Sequence, residues 1–175
     1  NDACLTICRF LQYEYYESYL KVVILRYTSD QLILERCSTP YDAVILIGSL
    51  IDKYGQADWG GLTYVLADPN EGWIVETTTH AWVAKTLTDG EIIALANRYT
   101  IGEEYDLSST TLIPLAINNG WYNPADGLFN FKNTDGDSEY MDERYDIERE
   151  QRVHQLLASR KGEINPQDLM IVLKD

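Results

Sequence analysis

An α+β fold in a single domain is what this sequence predicts, and three observations predict it. Residues 40–54 repeat apolar side chains at helical spacing between a clear start and a clear stop. Residues 62–96 break instead into short β-rich runs separated by turn residues. From residue 112 onward the helical spacing returns. At 175 residues and 45% hydrophobic composition the chain can bury one proper core. It has no internal repeat and no Pro-, Gly- or Ser-rich linker, so residues 1–175 read as one unit.

Taken in order, Ala3 to Phe10 mixes apolar, polar and β-branched residues as a strand does, with Cys4, Thr6 and Cys8 on one face. A tyrosine-rich stretch follows from Leu11 to Leu20, and Lys21 to Leu25 reads as a second strand. Thr28-Ser29-Asp30 is placed to cap a short helix carrying Leu32, Ile33 and Cys37. The helix over Pro40–Tyr54 has Thr39 before it, proline at its first position and Gly55 to end it, with Ala43, Val44, Ile47, Leu50 and Ile51 on its apolar side. Strands are expected at Leu62–Ala67, Gly72–Thr77, Ala81–Leu87 and Glu91–Ala96, reversed at Asp68–Glu71 and Thr88–Gly90, which makes an antiparallel meander. Leu112–Asn119 is a helix whose Pro114 must lie in its first turn, so it starts near Thr111. Ile147–Ala158 is the next helix, and Asn165-Pro166-Gln167-Asp168 starts the last, carrying Leu169, Met170, Val172 and Leu173.

The charge balance excludes some partners. Twenty-eight acidic against fourteen basic residues give a net charge of -14, which repels phosphate backbones and anionic lipid, so no nucleic acid and no membrane partner is expected. No apolar run approaches the roughly 20 residues of a membrane span, and no basic segment followed by an apolar one opens the chain. A soluble, cytoplasmic protein is the expectation, with secretion left open. Three cysteines, Cys4, Cys8 and Cys37, fit neither a disulfide framework nor the paired ligands of a zinc site. No metal and no organic cofactor is implied.

Chemistry must come from few residues. His80 and His154 are the two histidines, and at a strand start and within a helix each reads as an ordinary polar side chain. An enzyme without a histidine base can use its own terminal amine, which draws notice to Cys4 near the chain start. The run Asn133 to Glu139 has a faint calcium-loop flavour, but its glycine and glutamate are misplaced, so it reads as an acidic surface loop.

The stretches Leu34–Val44, Ala67–Thr77, Trp82–Ala84, Ala96–Gly102, Ala116–Tyr122 and Phe129–Phe131 together resemble the cysteine dipeptidases to which the secernins belong. Asn97-Arg98-Tyr99-Thr100-Ile101-Gly102 and Gly120-Trp121 resemble the secernin branch in particular. The resemblance implies an N-terminal-nucleophile hydrolase, a four-layer αββα sandwich in which the nucleophile begins a central strand. It implies peptide hydrolysis through an acyl-cysteine, with Cys4 of Cys4-Leu5-Thr6 as nucleophile and a small peptide as substrate. Asn97 matches the family's asparagine after a strand, which would donate to the oxyanion. Arg149, three residues before Arg152, matches the first of a pair that supplies positive charge.

Plainer roles compete with each assignment: a small buried strand residue for Cys4, a turn-closing side chain for Asn97, a surface ion pair for Arg149. The sequence also departs from the family pattern. Asn1-Asp2-Ala3 precede Cys4, so its amine must be exposed by processing. After the first strand Cys8-Arg9-Phe10-Leu11 stands where the family has Asp-Gly-Ser and then an Arg and Asp pair. The chain is expected to be internally shortened, leaving strand edges for a partner to cover, hence a homo-oligomer. Two alternatives stand beside the dipeptidase: an inactive secernin-like binding or interaction protein, and an amidohydrolase of linear amides.

Overall fold

The computed structural model describes residues 6–11, 24–57, 61–134 and 143–174. Along the chain run β1 (Thr6–Leu11), β2 (Ile24–Leu25), α1 (Arg26–Arg36), α2 (Pro40–Tyr54), β3 (Gln56–Ala57), β4 (Leu62–Ala67), β5 (Gly72–Thr77), β6 (Trp82–Leu87) and β7 (Leu107–Ser108). After these come α3 (Leu112–Asn118), a 3-10 turn at Pro124–Asp126, α4 (Phe131–Thr134), α5 (Glu143–Ala158) and α6 (Pro166–Val172). The fold is α+β: among the described residues, a five-stranded antiparallel sheet in the order β1-β4-β5-β6-β7 and a two-residue parallel pair, β2-β3.

Local chemistry accounts for α2. The Thr39 hydroxyl accepts the Asp42 N–H at 3.1 Å, Pro40 takes the first position, and Gly55 closes the helix at φ 69° with its N–H on the Ile51 carbonyl at 2.8 Å. Ala43, Val44, Ile47, Gly48 and Ile51 form its buried stripe. That stripe packs on Leu62, Tyr64, Leu66, Trp73, Val75, Trp82 and Ala84, one face of the meander. The Trp82 ring lies across the helix at Gly48, where a Cβ would fall inside the indole, and its N–H reaches Asp52 Oδ1 at 3.1 Å.

The meander forms through β4, β5 and β6, with Leu62 opposite Thr77 and Thr77 opposite Trp82. Asp68 Oδ1 accepts the Asn70 and Glu71 amides at 2.7 and 2.9 Å and so closes the first reversal. Two expectations are corrected. Residues 91–96 do not form a strand, because the outer edge of β6 is taken by Leu107–Ser108 opposite Ala84 and Val83. Ser29 lies inside α1 rather than capping it, and its buried hydroxyl pairs with Tyr64 Oη at 3.1 Å. The first strand is described from Thr6, so its expected start at Ala3 lies outside the described residues. The C-terminal start signal holds in full: Asn165 and Asp168 form a reciprocal capping box around Pro166.

Opposite α2, the other face of the sheet is covered without a second large sheet among the described residues. Ile74 and Val83 pack there against Tyr99, Ile101, Leu112, Ala116, Phe129 and Phe131, with Ile93 and Leu95 at the margin. No described helix is long and apolar enough to cross a membrane.

Candidate active site

Strand alternation sends Glu76 to the same side as Ile74, onto the face away from α2, where it is 0% exposed. A carboxylate buried this way needs donors, and the chain returning from the Thr88–Glu91 turn supplies them. Glu76 Oε1 accepts the Thr100 N–H at 2.6 Å and the Thr100 hydroxyl at 2.8 Å, and Oε2 accepts the Ile101 N–H at 2.9 Å. Burial pushes this carboxyl up to about 7, against the pull of the Ile101 and Thr100 donors and of the Arg98 charge.

A second acid grips the same returning segment from α5. Glu150 Oε1 accepts the Ala96 N–H at 3.2 Å, while Oε2 accepts Arg98 Nε at 2.9 Å and Nη2 at 2.5 Å. Glu150 and Asp146 share the inward side of α5 with Leu157, at spacings of four and seven residues. Between the two acids, the Tyr99 hydroxyl donates to the Thr77 carbonyl at 2.9 Å and its ring meets Phe131 edge-on at 5.0 Å. The hydroxyl also fills the space beside Gly61 that any Cβ would need.

Asn97 stands in the middle of this arrangement. It is half-buried, the residues on either side of it are both tied to Glu150, and among the described residues no group hydrogen-bonds its side chain. Cys4 lies outside the described residues. The strand it would precede pairs Thr6 with Ala67, Cys8 with Val65 and Phe10 with Thr63. Arg149 takes no part in this network: its side chain is 64% exposed and pairs with Asp146 at 3.1 Å. His80 and His154 are both exposed, and the acidic run Asn133–Glu139 falls mostly outside the described residues.

The sequence reading singled out Asn97 but missed Glu76, Arg98 and Glu150. A signal existed for Glu76, since its parity in the strand matches that of inward Ile74. Glu150 could be noticed as an acid on the stripe that carries Leu157, but nothing in the sequence joins it to residues 96 and 98. No three described His, Cys, Asp or Glu side chains gather as metal ligands.

Chemically, this is a polar ledge: an amide-bearing residue held on a segment that two buried acids fasten to the sheet and to a helix. The profile of peptidase family C69 matches residues 20–172 and so includes the whole ledge. A protein named probable dipeptidase from Latilactobacillus sakei is 27% identical over 141 residues, 77% of this chain and 29% of the relative. Another probable dipeptidase, from Salmonella dublin, is 27% identical over 128 residues, covering 69% of this chain and 29% of its own length. Dipeptidase A of Lactobacillus helveticus is 25% identical over 130 residues, 70% of this chain and 27% of that protein. The chain thus spans under a third of the length of these curated relatives.

Proposed function

This chain belongs to peptidase family C69, and on that premise we propose that it hydrolyses small peptides, dipeptides first, by acyl-cysteine chemistry. The observation that carries the reading is the family match over the segment presenting Asn97, reinforced by three relatives whose names all contain dipeptidase. The finer fold that goes with it is the αββα sandwich, to which β1, β4, β5 and β6 would contribute one sheet and α1 and α2 one helical layer.

In this reading cleavage directly before Cys4 makes it the first residue. Its free amine, with a pKa near 8, takes the thiol proton, since a useful fraction of it is neutral at physiological pH. The thiolate attacks the scissile carbonyl carbon, and the Asn97 amide donates to the oxyanion that forms. Collapse breaks the C–N bond, the proton passes from the ammonium to the leaving amine, and a thioester remains on Cys4. Water, deprotonated by the same amine, then releases the acid and restores the thiol. Arg149 would attract the substrate carboxylate, for which it must exchange Asp146 for the ligand.

The test is hydrolysis of a dipeptide panel by three forms: the chain begun at Cys4, its Cys4→Ala variant, and the chain begun at Asn1. Turnover by the first alone supports the mechanism. Equal inactivity of all three, each well folded, refutes it in favour of a non-catalytic binding role.

A further inference from the structure

The two acids of the ledge divide one short segment of chain between them. Glu150 is a single carboxylate whose two oxygens take one partner on each side of Asn97, Ala96 N–H before it and the Arg98 guanidinium after it. Glu76 takes the next two backbone amides along, those of Thr100 and Ile101, so four of the six residues from 96 to 101 end on buried carboxylates. Tyr99 fills the interval by its bond to Thr77. The one polar side chain of the segment left without a bond among the described residues is that of Asn97. A segment outside regular secondary structure, which would otherwise sample many conformations, is here fixed to a strand and to a helix more than 50 residues away in sequence.

We propose that Glu150 and Glu76 are positioning residues, which hold the backbone around Asn97 so that its amide meets the oxyanion already oriented. The proposal rests on the reading of Asn97 as oxyanion donor and adds who aims it. Preorganised donors stabilise a developing charge without reorganising during the reaction, whereas a displacement of about 1 Å can cost up to about 100-fold in rate. Glu150 is central because its loss frees both neighbours of Asn97 at once. Its conservative amide, Glu150→Gln, keeps an acceptor for Ala96 but sets an N–H against the Arg98 fork. Arg98→Lys removes the planar fork while keeping the charge.

The experiment uses the chain begun at Cys4 and measures kcat, KM and amide hydrogen exchange for the wild type, Asn97→Ala, Glu150→Gln, Arg98→Lys and the double variant Asn97→Ala/Glu150→Gln. Expected is a fall in kcat of about 10- to 100-fold for Glu150→Gln with little change in KM. Exchange should quicken at residues 96–101 while the β4, β5 and β6 amides keep their protection. The double variant should be no slower than Asn97→Ala, because a misaimed donor that is already absent costs nothing further. Losses that multiply, or unchanged exchange at 96–101, would overturn the positioning role. If Glu150→Gln does not fold, Arg98→Lys decides by the same two readouts, with a smaller loss. A wild type without turnover, or Asn97→Ala as fast as wild type, would instead sink the hydrolase reading on which the proposal stands.

Discussion

On one side of the meander Leu62, Tyr64, Leu66, Trp73, Val75, Trp82 and Ala84 meet the apolar stripe of α2, and the contact is made almost wholly by hydrocarbon and rings. On the other side Ile74 and Val83 share their layer with Glu76, and the segment above them is fastened by Glu76 and Glu150. The first face gains from removing apolar area from water, which is non-directional and independent of pH. The second adds directional bonds to carboxylates to an apolar layer of its own, so it fixes positions closely and depends on the protonation of Glu76. The face that carries Asn97 is therefore the more specified and the more easily upset. The oxyanion role proposed for Asn97, which needs one amide in one orientation, would gain from being on it.

Three measurements can break or sharpen this contrast. Ile47→Ala, in the α2 stripe, is expected to lower unfolding free energy by about 2 to 5 kcal/mol, equally at about pH 5 and about pH 8. A cost that varied with pH would show that the apolar face is not separate from the charged one. The next effect belongs to Glu76. Its folded pKa of about 7 lies above the ordinary 4.5, so between those values the folded chain keeps a proton that the unfolded chain has released. The stabilisation is complete below about 4.5 and is lost as pH rises through about 7, amounting to about 3 kcal/mol over the window. Urea unfolding across that range should show the decline in wild type and a flattened curve in Glu76→Gln; a flat wild-type curve would mean that the Thr100 and Ile101 donors cancel the cost of burial. Smallest is Thr39→Ala, which removes the α2 cap and should cost about 1 kcal/mol without changing hydrogen exchange at 96–101. Faster exchange there would show that α2 supports the ledge through the sheet.

The legibility of the chain follows the same division. The α2 helix could be read because its signals are local: Thr39, Pro40 and Gly55 at the ends, apolar residues three and four apart between them. The reversals at Asp68–Glu71 and Thr88–Gly90 were equally local, each closed by a bond within a few residues. Residues 91–96 have the composition of a strand, yet a strand exists only where an edge is free, and Leu107–Ser108 occupies that edge. Ser29 has the composition of a cap, but its partner Tyr64 lies 35 residues away. Asn97 was reached through the family resemblance, while Arg149, chosen the same way, lies on the exposed side of α5 beside the inward Glu150. The stripe that carries Leu157 marks Glu150 as inward, but what it binds there is settled only when the helix is docked.

By itself, the sequence determined the α+β class, α2 and α6 with their caps, the strands of the meander from Leu62 to Leu87, and kinship with peptidase family C69, because these rest on neighbouring residues or on ordered motifs. Tertiary structure alone decided which edge β6 would offer, which carboxylates would be buried, and that one of them would hold both neighbours of Asn97. The physical reason is that a buried charge is tolerated only where distant donors converge on it, and convergence across more than 50 residues is a property of the folded chain, not of any stretch within it.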